Sequence, residues 1–254
     1  MSPAKTLLAT ALVVTMTTAN ASDPTVLITG ANRGIGLELA RQYAERGWRV
    51  IATARRPAEA NALAAIATAH PGVSIEPLDV TDAAAVAALA RKYEGRPIDV
   101  LINNAGITGP RGQAPGSLDY DAYRHVLETN TIAPLRLAEA FLPNIASSTQ
   151  KKIVTLSSSE ASITQVNSPR GYWYRSSKAA VNMLMRNLAF ELKERGITVA
   201  LVNPGPVDTD MMKGVRMPLQ EPAEAVAKVI GIIDRLTPEK TGRFWDYQGG
   251  ELPW

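Results

Sequence analysis

The chain has 254 residues, of which 46% are hydrophobic and 20% are charged, a composition typical of one globular domain with a sizeable core. The net charge of +3 is spread over scattered basic residues, which gives no support to a nucleic-acid-binding role. Cysteine is absent, so disulfides, thiolate catalysis and cysteine-ligated metal are excluded, and with only His70 and His125 available we expect no metal site.

The first 21 residues have the pattern of an export signal. Met1–Lys5 is short and basic, residues 6–18 are mainly apolar with threonines, and Ala19-Asn20-Ala21 is a candidate cleavage site. The stretch is too short and too rich in threonine for a stable membrane span. We predict a signal peptide at residues 1–21, which implies a periplasmic or secreted protein, and one domain over residues 22–254. A terminal tail is the alternative.

After Pro24 the pattern alternates between strand and helix. Strands are predicted near 25–29, 48–53, 73–78, 98–103, 152–157, 197–203 and 243–246, and helices near 35–46, 57–69, 82–93, 119–146, 171–195 and 222–235. Repeated β-α-β units predict an α/β fold, a doubly wound parallel sheet of about seven strands with helices on both faces. Loops near 107–118, 159–170 and 205–221 follow strands and are expected to form the walls and lid of a site.

Three glycines follow the first predicted strand. Gly30, Gly34 and Gly36 are spaced Gly-x3-Gly-x-Gly and lead directly into a helical pattern. Such a turn brings backbone N–H groups and a helix N-terminus to an anion such as a pyrophosphate. The spacing differs from the common G-x-G-x-x-G pattern, so an ordinary glycine-rich turn is the alternative.

Tyr174 and Lys178 are four residues apart in a predicted helix, a spacing that places both on one face. A free phenol has a pKa of ~10, and a nearby positive charge lowers it. The pair is therefore a candidate general acid or base. A pair with this spacing that stands alone in a sequence is usually part of a solvated helix surface.

Further motifs occur in a fixed order along the chain. Asp79 follows the third strand, Asn103–Gly106 closes the fourth, Asn130 lies in the next helix, Ser157–Ser159 closes the fifth strand, and Asn203–Thr209 follows the sixth. Together with the glycines and the Tyr174/Lys178 pair, this order closely resembles the short-chain dehydrogenase/reductase family over residues 24–254. The run Tyr172–Lys178 and the tail Gly242–Trp254 resemble the C-factor-like carbonyl reductase branch. The resemblance implies a Rossmann-type domain and an NAD(P)-dependent oxidoreductase.

The resemblance also implies catalytic roles. Tyr174 would exchange a proton with the substrate oxygen, and Lys178 would bind the nicotinamide ribose and lower the pKa of Tyr174. Asn130 would hold a water in a proton relay, although an amide that kinks a helix is the alternative. Ser158 would bind the substrate oxygen, 16 residues before Tyr174, because the position 13 before it is Ala161, which has no hydroxyl. Ser159 is the alternative serine.

The implied cofactor residues cover most of the strand ends. The pyrophosphate would be held by Gly30, Asn32, Gly34, Ile35 and Gly36. The adenine would be held by Asp79 and Val80, and the adenosine ribose by Asn104, Ala105 and Gly106. The nicotinamide end would be held by Pro204, Gly205, Val207 and Thr209. Asp79 could instead be an acid at a helix N-terminus. The end of the second strand carries no acid, and Arg55 and Arg33 suit a 2′-phosphate, with Arg56 as a substitute. NADP(H) is therefore the preferred cofactor, with NAD(H) as the alternative. Ordinary surface charge is the alternative for these arginines.

The expected function is NADP-dependent reduction of a ketone or aldehyde to an alcohol. The alternative is a secreted C-factor-like signalling or cofactor-binding protein with little catalytic role. The implied partners are a small carbonyl or alcohol substrate and further copies of the chain, in a dimer or tetramer with the Tyr174/Lys178 helix at an interface. A cytoplasmic location is the alternative to export, because the cofactor is found there.

Overall fold

Seven strands form one sheet in the computed structural model, which describes residues 23–112 and 114–254. The strands are β1 (Thr25–Ile28), β2 (Arg49–Ala54), β3 (Val73–Pro77), β4 (Val100–Asn103), β5 (Lys152–Leu156), β6 (Thr198–Asn203) and β7 (Arg243–Asp246). All pairs are parallel, in the order β3-β2-β1-β4-β5-β6-β7. The predicted α/β fold is confirmed. The predicted signal peptide lies outside the described residues.

Eight helices connect and cover the strands in the described part of the chain. They are α1 (Gly34–Glu45), α2 (Asn61–Ala69), α3 (Ala83–Lys92), α4 (Tyr120–Leu127), α5 (Ala133–Ala140), α6 (Leu142–Ala146), α7 (Tyr172–Leu192) and α8 (Pro222–Asp234). The strands are apolar on both faces, as expected for a sheet covered by helices on each side. In β1, Val26 and Ile28 pack under α1, α2 and α8, while Leu27 packs with α3, α5 and α7 on the other face.

The predicted helix 119–146 is divided into three helices. A π-helical turn, Glu128–Ile132, joins α4 to α5, and Phe141 separates α5 from α6. Pro134 and Pro143 lie in the first turns of α5 and α6, where the absent N–H of proline costs no hydrogen bond. The predicted helix 57–69 also begins late, with a 3₁₀ turn at Pro57–Glu59 before α2.

The strand order changes direction between β1 and β4, which lie side by side although β2 and β3 come between them in the chain. Their connections leave in opposite directions, which opens a crevice beyond their carboxyl ends, the usual ligand site of such sheets. The glycine turn, Asn104 and the loop after β4 all lie at this edge. Over residues 23–112 and 114–254, none of the helices combines the length and the hydropathy that crossing a membrane requires.

Candidate active site

A cleft of about 780 Å³ opens at this edge of the sheet. It brings together residues from the glycine turn, the ends of β2, β3, β4 and β5, helix α7 and the loop after β6. Its lining includes Gly30, Asn32, Arg33, Gly34, Ile35, Gly36, Arg55, Asp79, Val80, Asn104, Ala105, Gly106, Tyr174, Lys178, Pro204 and Thr209. The structure therefore places 16 of the 18 predicted cofactor residues around one cleft; Gly205 and Val207 are not in the lining.

The glycine turn fits close against its neighbours. A side chain at Gly36 would collide with the carbonyl oxygen of Gly30 and with the amide of Asn104, and Gly30 has a φ of +67° with Ala105 Cα 3.0 Å from where a Cβ would lie. Within the described residues no side chain caps the first turn of α1, so its N–H groups face the cleft. This cradle fits the pyrophosphate of a dinucleotide.

Thr29 and Asn104 hold the two sides of the cradle together. Asn104 Nδ2 donates to the carbonyl oxygens of Thr29 at 2.7 Å and Gly30 at 3.1 Å, and the backbone N–H groups of Asn104 and Ala105 donate to Thr29 Oγ1 at 3.0 and 3.1 Å. The sequence analysis did not single out Thr29, because a threonine at the end of a strand is ordinary. Its buried hydroxyl joins β1 to the loop after β4.

Asp79 lies on the wall of the cleft rather than at a helix N-terminus. Its carboxylate accepts hydrogen bonds from Thr81 N at 2.9 Å and Thr81 Oγ1 at 2.7 Å. Partial burial opposes ionisation, but these bonds and the charge of Arg55 hold the pKa of Asp79 below its usual range. Asp82, three residues later, is the residue that caps α3.

The three arginines of the cleft differ in their partners. Arg33 Nη1 pairs with Asp210 at 3.2 Å, and Arg56 Nη1 pairs with Glu59 at 3.1 Å. Arg55 is exposed and, among residues 23–112 and 114–254, makes no hydrogen bond or ion pair. Its guanidinium is therefore available to an anion in the cleft, next to Asp79 and Val80.

Lys178 lies at the inner end of the cleft and is almost fully buried. Its Nζ donates to the carbonyl oxygen of Leu156 at 2.8 Å and lies 5.8 Å from the centroid of the Tyr174 ring. Gly106 lies between Lys178 and Asn130, since a Cβ there would be in contact with Lys178 Nζ at 3.7 Å and close to Asn130 Oδ1 at 3.3 Å. Lys178 and Asn130 thus meet at Gly106.

The three serines after β5 point to different partners. Ser158 is close enough to Tyr174 for its hydroxyl to lower the pKa of that phenol. Ser157 is buried, and its hydroxyl donates to Asn182 Oδ1 at 2.6 Å. Ser159 begins a 3₁₀ turn, Ser159–Ala161. Ser158 is therefore the serine that the structure brings to Tyr174, although Ser157 is the one in the cleft lining.

Asn130 lies in the middle of the π-helical turn and is fully buried. Its Oδ1 accepts from the backbone N–H of Ile107 at 2.9 Å, while Nδ2 donates to the carbonyl oxygen of Ile107 at 2.8 Å and to Ser177 Oγ at 2.9 Å. The side chain fastens the loop after β4 to α7. These bonds accompany the π-helical turn, and the proton relay stays a prediction.

The two predicted cofactor residues outside the lining have structural surroundings. Gly205 has a φ of +76°, and a Cβ there would collide with Gln220 and lie 2.7 Å from the ring of Tyr247. Val207 is buried. Their contact with a cofactor stays a prediction. In the described part of the chain no three His, Cys, Asp or Glu side chains cluster as metal ligands would.

The family model for short chain dehydrogenases matches residues 24–220, which is most of the chain. The chain belongs to the short-chain dehydrogenase family. It is therefore an NAD(P)-dependent oxidoreductase, and the cleft that holds the matched motifs is its candidate active site.

Several relatives of this dehydrogenase are known. It is 38% identical to the 1-hydroxy-2-glutathionyl-2-methyl-3-butene dehydrogenase of Rhodococcus sp. (strain AD45), over 91% of this chain and 99% of that protein. It is 39% identical to C-signal of Myxococcus xanthus, over 62% of this chain and 93% of that protein. The NADPH-bound carbonyl reductase from chicken fatty liver superposes with a TM-score of 0.84 at 32% identity, covering 91% of this chain and 99% of that one.

The two titratable groups at the inner end of the dehydrogenase cleft have shifted pKa values. Burial lowers the pKa of Lys178 to about 8. Burial raises the pKa of the Tyr174 phenol; the hydrogen bond from Ser158 opposes this rise and the carboxylate of Glu160 adds to it. The net direction is opposite to the lowering expected from Lys178, whose ammonium is turned towards the Leu156 carbonyl. A raised pKa keeps the phenol protonated at neutral pH, as a proton donor requires.

Two further groups near the predicted catalytic residues were not predicted from the sequence. His125, treated as an ordinary histidine, lines the cleft from α4. Glu160, next but one after Ser158, acts on Tyr174 through its charge. Neither residue belongs to a motif, and only the folded chain brings them to the site.

Proposed function

We propose that this dehydrogenase reduces a ketone or aldehyde to an alcohol with NADPH. The observation that carries the proposal is the position of Tyr174, with Ser158 as its neighbour, beside buried Lys178, whose Nζ lies 5.8 Å from the centroid of the Tyr174 ring at the inner end of the cleft. Both hydroxyls can donate to one carbonyl oxygen and so stabilise the negative charge that develops on it during reduction.

Tyr174 gives its proton to that oxygen as the carbonyl carbon is reduced. Its raised pKa favours this direction, since a phenol that holds its proton at neutral pH is a ready acid but a poor base. Lys178, with its pKa lowered to about 8, is poised to return a proton near neutral pH. Bound NADPH would supply the hydride.

NADP is favoured over NAD by the charges in the adenosine end of the cleft. Arg55 makes no hydrogen bond or ion pair within the described residues, and Arg33 is a second guanidinium on the same wall. A guanidinium matches the geometry of a phosphate. The carbonyl reductase from Pseudomonas aeruginosa PAO1 in complex with NADP, at 33% identity and a TM-score of 0.79, supports the same preference.

The test is the oxidation of NADPH and of NADH by the purified protein, followed by absorbance against a panel of aldehydes, diketones and quinones. The Tyr174→Phe variant is measured in parallel. We expect turnover with NADPH, and a loss of at least ~10²–10⁴-fold in kcat for the variant, as is usual when a general acid is removed. Cofactor binding should be retained, because the phenyl ring still fills its place.

Three outcomes would count against the proposal. Binding of NADPH without reduction of any carbonyl would favour the alternative function, and failure to bind either cofactor would contradict the role of the glycine cradle. Turnover that persists in Tyr174→Phe would show that Tyr174 is not the general acid.

The alternative is a secreted signalling or cofactor-binding protein, which the similarity to C-signal keeps open. This function requires export, and we propose that the protein is exported with cleavage of the signal peptide after Ala21. Mass spectrometry of the mature N-terminus from periplasmic and secreted fractions tests this: a chain starting at Ser22 supports export, and an intact N-terminus found in the cytoplasm contradicts it.

A further inference from the structure

Glu160 connects the turn after β5 to the start of α7. It lies in the 3₁₀ turn Ser159–Ala161, and its carboxylate pairs with Arg175 and, at 2.9 Å, with Arg170 Nη2. Arg175 directly follows Tyr174 in α7. Its side chain is only 12% exposed, whereas that of Arg170 is 64% exposed. The bond to Arg175 is therefore the shielded one, and a shielded charge-assisted bond is stronger than a surface ion pair.

The same residue also touches Ser158. The backbone N–H of Glu160 donates to Ser158 Oγ at 3.2 Å. Arg175 in turn donates from Nη1 to the carbonyl oxygen of Ser168 at 2.8 Å, which fastens the far end of the loop to the helix. Glu160 thus holds Ser158 through its main chain and the Tyr174 helix through its side chain.

The charges around Tyr174 make Glu160 distinctive. The titratable and charged groups that the packed elements bring to this region are Arg175 and Lys178 of α7, Arg170 of the loop, His125 of α4, and Glu128 of the π-helical turn, which pairs with Arg136. The carboxylate of Glu160 raises the pKa of Tyr174 through its charge, and Arg175, its ion-pair partner, compensates that charge.

We propose that Glu160, held by Arg175, is a positioning residue that fixes the turn of Ser158 against the helix that carries Tyr174. This proposal rests on the proposed function for its kinetic consequence, but the protonation of Tyr174 can be observed without turnover. Removing the carboxylate leaves the positive charge of Arg175 and favours the phenolate. Removing Arg175 leaves the carboxylate less compensated and favours the phenol.

The deciding experiment is an NMR titration of protein labelled with ¹³Cζ-tyrosine, in which the Tyr174 signal is assigned by its absence from Tyr174→Phe. We expect the titration midpoint to fall by roughly half a pH unit or more in Glu160→Gln and to rise by a similar amount in Arg175→Gln. Arg175→Lys keeps the charge and should restore the wild-type midpoint. Glu45→Gln, an exposed glutamate paired with Arg41 at 2.9 Å, is the matched control and should leave the midpoint unchanged.

The kinetic arm measures the same variants with NADPH and a reducible carbonyl. Both Glu160→Gln and Arg175→Gln should lose roughly 10-fold or more in kcat with an unchanged KM for NADPH, because the turn that carries Ser158 is no longer fastened to α7 by the Glu160–Arg175 ion pair. The alkaline limb of the pH profile should move in opposite directions in the two variants.

Some results would overturn the role of Glu160. Midpoints that stay at the wild-type value, or that move in the same direction in both variants, would show that Glu160 does not act on Tyr174. If the wild type reduced no carbonyl, the proposed function would fall, while the NMR midpoints would still decide the electrostatic role of Glu160.

Discussion

Burying the ammonium group of Lys178 at the candidate site lowers the stability of the folded chain. Its side chain is 5% exposed, and the pKa of about 8 compares with a usual value of 10.5. Below pH 8 the ammonium is charged in both the folded and the unfolded chain, so the full cost of burying it is present. Between pH 8 and 10.5 the unfolded chain binds more protons than the folded chain, and stability rises with pH.

We therefore predict that the free energy of unfolding of the wild type rises between pH 8 and 10.5 relative to Lys178→Met, by up to about 3 kcal/mol. Urea unfolding of both proteins across this range measures the difference. Tyr43 and Tyr93, whose pKa values burial raises, titrate in both proteins, so their effects cancel. If the free energy of unfolding changed with pH in the same way in both proteins, the proposed cost of burying Lys178 would be contradicted.

Arg55 should decide the choice of cofactor. Replacing it with glutamate removes the guanidinium and places a negative charge beside the expected 2′-phosphate. We predict that Arg55→Glu raises the KM for NADPH by about 10–100-fold, the range that corresponds to losing a hydrogen bond to a charged group, and leaves the KM for NADH unchanged or lower.

Initial rates with each cofactor test the role of Arg55. Arg56→Gln is the control, because Arg56 is already paired with Glu59 and should change the KM for NADPH much less. An equal rise in the KM for NADPH and for NADH would mean that Arg55 supports the cleft in general rather than binding the 2′-phosphate.

At the scale of elements, α3 depends on its N-cap. Asp82 Oδ1 accepts from the N–H groups of Ala84 at 2.8 Å and Ala85 at 3.0 Å, and helix α3 packs under the sheet through Val86 and Leu89. We predict that Asp82→Ala lowers the free energy of unfolding by about 0.5–2 kcal/mol. Chemical denaturation measures the change.

The matched control for the cap is Asp82→Asn, which keeps the acceptor oxygen and should be within a few tenths of a kcal/mol of the wild type. If the asparagine variant lost as much as the alanine variant, the negative charge at the helix N-terminus, rather than the cap bond, would be responsible.

The elements show which parts of the structure local sequence can predict. The strands and the glycine turn followed from hydrophobic pattern and from backbone needs that only glycine meets, as at Gly30 and Gly36. The π-helical turn did not, because the stretch around Asn130 is helical by local preference. The shift in hydrogen bonding there accompanies contacts with Ile107 and Ser177, which are distant in sequence.

The candidate site also has features that local sequence predicts and features that it does not. The motifs identified the residues around the cleft, since each motif reports a local requirement for a turn, an amide or a hydroxyl. The raised pKa of Tyr174 was not predictable, because it depends on burial and on Glu160 from another segment. The choice of Ser158 over Ser159 had to be left open until the path of the chain after β5 was known.

At the scale of the whole molecule, helix α7 serves both the site and the surface. One side of it carries Tyr174 and Lys178 into the cleft, and its buried residues Val181 and Met185 pack under the sheet. The opposite side exposes Met183 and Phe190, which are 63% and 64% accessible. Positions seven apart lie on the same helix face, and Arg186 and Asn187 lie between the two, so this face is a strip with an apolar side chain at each end.

We propose that this strip lies in an interface between copies of the chain, as expected for a dimer or tetramer built on the Tyr174/Lys178 helix. Light scattering coupled to size-exclusion chromatography should give a dimer or tetramer for the wild type and a monomer for the double variant Met183→Asp/Phe190→Asp, because a buried charge without a partner disfavours association.

The control is Met217→Asp, which adds the same charge at an exposed methionine of the loop after β6 and should keep the wild-type mass. A monomeric wild type, or a double variant that stays associated, would move the interface away from α7. Association through α7 also bears on the site, because Tyr174 and the surface strip belong to one rigid helix. If packing between copies steadies that helix, loss of the interface should therefore lower kcat as well as the mass of the assembly. If the sheet alone holds the helix, kcat should be unchanged.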